Sequence, residues 1–276
     1  MKRPVRHIQR RTLLAISRIV LGLLLAAAPC RAIAEPTPAA IAGFNIYVRG
    51  LEERLEQQHR SDLGFLAAVD SVPGMQARLR RGEFVIEPLT SSVGPQLPGA
   101  MLHHWRATAF IAGANAADVE RLLRDFDAYL KAFAPQVLRA RVLNADGDRM
   151  EATMRVRQQH VITVVMDTRY DVSFGRLDAQ HGYSISRSSR IDEIASPGTS
   201  AEHVLNAEQE HGFLWRQNTY WSYAERDGGV YVQVESVSLS RAIPRGLAWA
   251  VRPFVESVPR ESLEFTLRSV VNALHR

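Results

Sequence analysis

MEATMRVRQQHVITVVMDTRYDVSF, residues Met150 to Phe174, holds two period-two patterns in succession. Met150, Ala152, Met154 and Val156 share one parity, while Glu151, Thr153, Arg155 and Arg157 take the other. Ile162, Val164, Met166, Thr168, Tyr170, Val172 and Phe174 then oppose Thr163, Asp167, Arg169, Asp171 and Ser173. Successive side chains of a strand point to opposite faces. Each run is therefore a strand with one dry and one wet face, the habit of antiparallel sheet.

Outward from this stretch, about six strand-like runs occupy Leu138 to Ser240 without a helix between them. Gly147, Gly175, Gly182 and Asp227-Gly228-Gly229 mark turns, the last being the strongest hairpin signal. Phe213, Trp215, Thr219, Trp221 and Tyr223 share a parity, and Val230, Val232 and Val234 line another strand. An earlier strand spans His103 to Ile111. Two short helical pieces follow at residues 115 to 133, opened by Asn115 with Asp118 three residues on, a capping-box pattern.

At the end of the chain, Leu263, Leu267, Val270 and Leu274 step by four, three and four, a helical stripe from Pro259 to His275. Pro244 precedes a short segment with Leu247 and Val251, Pro253 and Pro259 are read as breaking any continuous helix, and Pro259 suits a first-turn position. The expected fold class is α+β: a curved antiparallel sheet wrapped around a long C-terminal helix. So little helix cannot seal such a sheet, and the pattern points to a container for an apolar molecule.

Residues 1–34 form a separate unit, with a basic stretch from Lys2 to Arg18, an apolar run from Ile19 to Ala28, and Ala32-Ile33-Ala34 before Glu35. That is a signal-peptide pattern. Its apolar run is far shorter than the roughly 20 residues of a spanning helix. Export, to the periplasm or outside the cell, with cleavage near Ala34 is the expectation. Arg10-Arg11 leaves the twin-arginine and general secretory routes both open. Removing the segment leaves 27 basic residues against 29 acidic, so the basic character belongs to the precursor. A nucleic-acid partner, which needs a basic footprint on the folded domain, is excluded. Cys30 lies before the cut, so the mature chain lacks a thiol and thiolate chemistry drops out.

Residues 35–99 are read as linker, helix and long loop. Glu35 to Ala42, with Pro36 and Pro38, reads as a tether. A helix follows over about 45 to 59 on Phe44, Val48, Leu51 and Leu55, with Leu63, Leu66 and Val69 as its extension. Its apolar face packs on the domain or meets a membrane surface or envelope protein. A short strand at Glu83 to Glu87 sits in the loop from Pro73 to Gly99.

Residues 100–276 resemble the helix-grip fold of the START, polyketide-cyclase and Bet v 1 superfamily. The resemblance is carried by Phe110-Ile111-Ala112-Gly113, by Leu123-Arg124-Asp125-Phe126-Asp127-Ala128-Tyr129 with Pro135-Gln136-Val137, by Asp227-Gly228-Gly229-Val230, and by Ser262-Leu263 with Leu267. It implies an apolar ligand, lipid-like or aromatic, held between sheet and terminal helix. It leaves residues 43–99 unexplained.

Met154, Met166, Tyr170, Trp215, Trp221 and Tyr223 are the candidate ligand-binding residues: thioethers adapt to irregular ligands, and Tyr and Trp add polar tips. Filling a core is their alternative role. Arg190, Glu235 and Arg241, with Arg216, are charges in strands that would anchor a polar group if inward, and Glu235 is expected to pair with Arg216 or Arg241 if buried. The chain has no Gly-x-Ser-x-Gly, no His-Glu-x-x-His and no phosphate loop. His103 and His104 point to opposite faces and cannot share a metal. No catalytic residue, metal ligand or cofactor is assigned. The leading reading is a carrier for a hydrophobic small molecule, with access through loops 88–100 or 196–211. A cyclase- or hydrolase-type enzyme using Tyr170, Arg190 or Glu235, and a non-catalytic envelope adaptor, are the alternatives.

Overall fold

The structure, a computed structural model, describes residues 35–90, 97–159, 163–243 and 248–275, with side chains of the last helix from residue 257 onward. The expected signal segment at 1–34, Ile162, Pro244, Pro253 as a side chain, and the middle of the 88–100 loop lie outside the described residues.

The first helix, α1, spans Pro38–Gln58. It begins earlier than the expected 45, within the stretch read as a tether. The cause is local: Thr37 is an N-cap whose hydroxyl accepts from the Ala40 amide at 3.1 Å, and Pro38 needs no amide partner in the first turn. Phe44, Val48, Leu51 and Leu55 are its buried stripe, as the four-three-four spacing predicts. Two short helices follow as separate elements, α2 (Ala67–Ser71) and α3 (Met75–Arg80).

Strand β1 spans Val85–Pro88 and β2 Ala100–Ala112. Helix α4 (Ala116–Arg124) opens on the expected capping box: the Asn115 side chain accepts from the Asp118 amide at 2.8 Å. Helix α5 is Tyr129–Ala132. Then come β3 (Val137–Asp146), β4 (Arg149–Gln159), β5 (Thr163–Arg176), β6 (His181–Ala195), the two-residue β7 (His203–Val204), β8 (Arg216–Arg226) and β9 (Gly229–Arg241). The chain ends in α6, Ala248–Leu274.

The strands form one antiparallel sheet in the order β1-β2-β9-β8-β6-β5-β4-β3, with β7 paired to β6. Asp227 and Gly228 both take positive φ, 59° and 76°, which makes the β8–β9 connection the tight hairpin expected of Asp-Gly. Gly175 and Gly182, read as turn markers, lie inside β5 and β6 instead. Their role is room: a Cβ on Gly182 would sit 2.4 Å from the Tyr223 hydroxyl, and one on Gly175 would meet the Tyr183 ring.

Helix α6 continues through Pro253 and Pro259, contrary to the breaks expected there. A proline in a helix interior costs about 3 kcal/mol. Packing of a long apolar stripe outweighs such a penalty, and Leu263, Leu267 and Val270 are buried against β2, α4 and α5.

A second correction concerns the wet face. It holds on β4 and β5, where Arg155 pairs with Asp167 at 2.7 Å and Arg169 with Glu151 at 2.9 Å. It fails on β2, β8 and β9. Every residue of β9 from Gly229 to Glu235 is buried, on both faces. The back of the sheet is roofed by the N-terminal extension: the α1 stripe packs on Leu102, Tyr220, Val237 and Leu239. Farther along, Phe65, Leu66, Val69, Met75 and Leu79 pack on Ala224 and Tyr231.

Polar groups are trapped under this roof. Glu235, 1% exposed, meets His104 Nε2 at 2.8 Å and accepts from Arg54 at 2.5 Å; His104 Nδ1 meets the Tyr47 hydroxyl at 2.8 Å. Burial alone would push the Glu235 carboxyl up, but the His104 hydrogen bond and the Arg54 charge outweigh it and hold it below its ordinary value. The buried partner of Glu235 is thus Arg54 of α1, rather than the expected Arg216 or Arg241. Glu235→Leu strands His104 and half-buried Arg54, and we expect a loss of about 3 kcal/mol in urea denaturation. A companion Glu235→Leu/Arg54→Met/His104→Leu variant should recover much of it.

His59, at the end of α1, is 8% exposed, stacks on Tyr183 at 4.1 Å and meets the Ser222 hydroxyl at 2.8 Å. Burial, with Arg54 adding to it, lowers its pKa from 6.5 to about 4. The unfolded chain therefore binds a proton that the folded one refuses between those values, and stability falls as pH drops through that window. The contribution is about 3 kcal/mol, fully present above pH 6.5 and lost near pH 4. Denaturation of the wild type and of His59→Gln across pH 4 to 7 should show a shallower slope in the variant.

Candidate functional site

A cavity of about 560 Å³ lies between the concave face of the sheet and α6. Its inner end is apolar, with Leu123, Phe126, Tyr129 and Phe133 from the α4–α5 region and Leu263 from α6. Beyond that end the concave face closes. Ile111, Val230, Leu267 and Val270 are all 0% exposed and form ordinary core. Farther back along α6, Val258, Ser262 and Thr266 line the cavity.

Of the sequence-derived candidates, Met154, Met166, Tyr170, Trp221 and Arg241 are on the cavity wall. Tyr170 is 5% exposed, and burial raises its pKa, so it is a neutral phenol. Arg241 sits at the rim, donating to the His211 carbonyl at 3.3 Å. The remaining four are elsewhere. Trp215 packs with Tyr220 and Leu239 under α1. It precedes the first residue of β8, so the strand's parity does not extend to it. Tyr223 faces the concave side but lies in the closed core, its hydroxyl 3.3 Å from Glu120. Glu120 in turn pairs with Arg176 and Arg124, sealing that end. Arg190 is exposed and pairs with Asp192 at 2.7 Å. Glu235 belongs to the network under the roof, with the opposite parity from cavity-lining Val234 and Ser236.

Sequence reading missed the polar part of the wall. Ser184 and Ser186 of β6, Gln217 and Thr219 of β8, and Ser236, Ser238 and Ser240 of β9 all line the cavity. Their signal was present as an alternation, serine replacing valine on the inward parity of β9 after Val234, but hydroxyls are absent from an apolar template. His103 also lines the wall, and burial lowers its pKa, so the imidazole is neutral at pH 7. Among the described residues no group of three or more His, Cys, Asp and Glu could hold a metal.

At the rim, the loop between β7 and β8 is pinned by one carboxylate. Glu193, 4% exposed, accepts from the amides of His211 at 3.1 Å and Phe213 at 3.2 Å and meets the His211 ring at 2.8 Å. Phe213, Gly212 and His211 form this side of the cavity wall. This bears on the expected 196–211 access loop. Removing the anchor with Glu193→Ala should accelerate hydrogen exchange of the His211 and Phe213 amides at least tenfold, with β2 and β9 amides unchanged.

No protein-family model matches the chain, and no curated protein matches it in sequence. Solved structures similar to it include a protein of Thermus thermophilus (15% identity, TM-score 0.44, 61% of this chain and 94% of the other). Others are the ZhuI aromatase/cyclase of Streptomyces sp. R1128 (14%, 0.45, 64% and 95%) and a STAR-related lipid transfer protein of Xanthomonas axonopodis (17%, 0.43, 69% and 99%). These likenesses are distant, and the assignment rests on the strand order and the seat of α6. By that architecture, the chain has a helix-grip α+β fold, a curved antiparallel sheet closed by a C-terminal helix.

Proposed function

We propose that the mature protein is an exported binding or carrier protein for a hydrophobic small molecule held between the sheet and α6. The observation that carries this reading is the 560 Å³ cavity, within the roughly 300–1,000 Å³ range of small-molecule sites. Its apolar wall supplies affinity at about 25 cal/mol per Å² of buried apolar surface. Its polar groups supply orientation.

A carrier fits the wall better than an acid–base enzyme. No Asp or Glu lines the cavity among the described residues, and Glu235 and Arg190, two of the groups considered for such chemistry, lie outside it. General acid–base catalysis needs a titrating group within hydrogen-bond reach of the substrate. Of the imidazoles on the wall, His211 is engaged by Glu193. The signal-peptide pattern of residues 1–34 supports export. Among the described residues no helix is long and apolar enough to cross a membrane.

Native mass spectrometry of residues 35–276 purified from the host tests the reading. A stoichiometric apolar adduct, released by solvent, is expected. Thr266→Trp, which places an indole in the cavity, should remove that adduct while leaving the far-ultraviolet circular dichroism unchanged. A bare mass that gains nothing from added apolar ligands would overturn the carrier reading. Finding the protein with its leader intact in the cytoplasmic fraction would overturn export.

A further inference from the structure

The roof covers the back of β2, β9 and β8 and leaves the back of β3, β4 and β5 facing water. Met154, Val156 and Gln158 line the cavity, so Arg155 and Arg157, of the other parity on β4, point outward. Arg139 of β3 stands directly opposite Arg155, and Arg141 stands opposite Thr153. Across the sheet from Thr153 follow Arg169 of β5 and Arg190 of β6. Toward the Gln158 end of β4 this outer face thus presents six arginines, with Glu151, Asp167, Asp192 and Glu202 as their carboxylates. Farther along the same face Asp171 stands opposite Arg187, and the signs are mixed. With the leader removed the chain is net acidic, 27 basic residues against 29, so the arginine end is a local excess of the opposite sign.

The carboxylates there are engaged. Asp167 and Glu202 both bind Arg155, Glu151 binds Arg169, and Asp192 binds Arg190. Arg139 feels the charge of Glu202, but that carboxylate is held by Arg155 and the Gly198 amide. Arg139, Arg141 and Arg157 make no ion pair or side-chain hydrogen bond among the described residues. Like charges directly opposite each other destabilise a sheet, so pairing with β4 does not account for Arg139. Charges on an edge strand such as β3 guard it against chance pairing. Arg157 lies on β4, inside the sheet, where that role does not arise.

The three unpaired guanidiniums belong to neighbouring positions. Arg157 lies diagonal to Arg139, and Arg139 two residues from Arg141, spacings of about 7 Å that long side chains bridge. A flat array of this kind suits a surface of many phosphates better than one enclosed anion. An apolar residue accompanies it: helix α5 packs on β3, and its Leu130 is 47% exposed beside Lys131. Attraction to anionic lipid and burial of an apolar side chain act together at a bilayer surface, whereas a soluble anion leaves Leu130 in water. Gln136, Val137, Val156 and Gln158 line the cavity from the other face of this edge, so β3 and β4 form one wall of it.

We infer that the free edge of the sheet, with Arg139, Arg141 and Arg157 on the outer face of β3 and β4 and Leu130 on α5, docks on an anionic phospholipid surface. The guanidiniums meet lipid phosphates, and Leu130 enters the headgroup layer. Docking sets the β3–β4 wall of the cavity beside the bilayer. The inference rests on this edge alone and holds whatever the cavity carries.

Residues 35–276 would be sedimented with phosphatidylcholine vesicles containing about 30% phosphatidylglycerol, and with phosphatidylcholine alone. Binding to the first and not the second is expected, falling about tenfold or more between roughly 0.05 and 0.5 M salt. Each arginine near an anionic surface contributes about fivefold, so Arg139→Gln/Arg141→Gln/Arg157→Gln should weaken binding by about 50-fold or more. Arg139→Lys/Arg141→Lys/Arg157→Lys keeps the charge without the planar fork and should stay within about threefold of the wild type. Arg60→Gln/Arg78→Gln/Arg81→Gln removes the same charge from the roof and should change binding less than about twofold. Urea denaturation of the glutamine edge variant should show no loss of stability, because the three arginines have no described partner to lose. Equal binding to both vesicles, no binding to either, equal weakening by the roof variant, or displacement by soluble glycerol phosphate overturns the inference. A lysine edge variant as weak as the glutamine one also overturns it, since that marks a geometric site for one anion or an acidic protein. None of these outcomes touches the carrier reading, which the retained apolar adduct decides.

Discussion

The contact of Leu263, Leu267 and Val270 with the concave face is the constraint from which the rest of the architecture follows. A sheet of this length curves because each strand carries the right-handed twist of its backbone. One helix can close only part of the resulting trough. Where Leu267 and Val270 meet Ile111 and Val230, the trough is core, with no exposed surface on any of the four. Where the helix runs on past Leu263 toward Val258, the same trough is a cavity. Core and site share one concave face, divided along the length of α6: Leu267 and Val270 fill one part, and Val258, Ser262 and Thr266 line the other.

That arrangement leaves the back of β2, β9 and β8 as a second apolar surface, and the N-terminal helices exist to cover it. The cover is mixed in chemistry. Phe44, Val48, Leu51 and Leu55 exclude water, while Arg54, Tyr47 and His104 surround Glu235 in the same layer. A buried ion pair contributes little net stability compared with apolar packing, and this one ties Arg54 of α1 to Glu235 of β9 through the sheet's roof. Strands β2 and β9 carry this network on one face and the cavity on the other, so residues adjacent in sequence, Glu235 and Ser236 or His104 and His103, serve opposite layers.

Much of the fold was legible in local pattern. The alternation from Met150 to Phe174, the Asp227-Gly228 hairpin, the Asn115 capping box and the stripe Leu263-Leu267-Val270 each reflect a backbone period or a turn conformation, and each appears as expected. The misreadings have two origins, one tertiary and one local. Pro259 looked like a break because its cost is local while the compensation is tertiary. Thr37-Pro38 looked like a tether because composition was weighed above the cap. The candidate site was less legible: Met154, Met166, Tyr170 and Trp221 lie on the wall, yet Trp215 and Glu235 lie on the other side of the sheet. The serine wall escaped notice because hydroxyls on an inward parity resemble solvent-facing residues.

By itself, the sequence determined the strands, the hairpins, the helix caps and the two-faced character of each element. All of these are set within a few residues by the geometry of the backbone. Tertiary structure alone decided which face of β9 meets the cavity and which meets α1, where α6 stops filling the trough, and which polar groups stay unpaired. Parity divides a strand into two faces without naming either, and the choice between them depends on how the whole sheet buries its apolar surface.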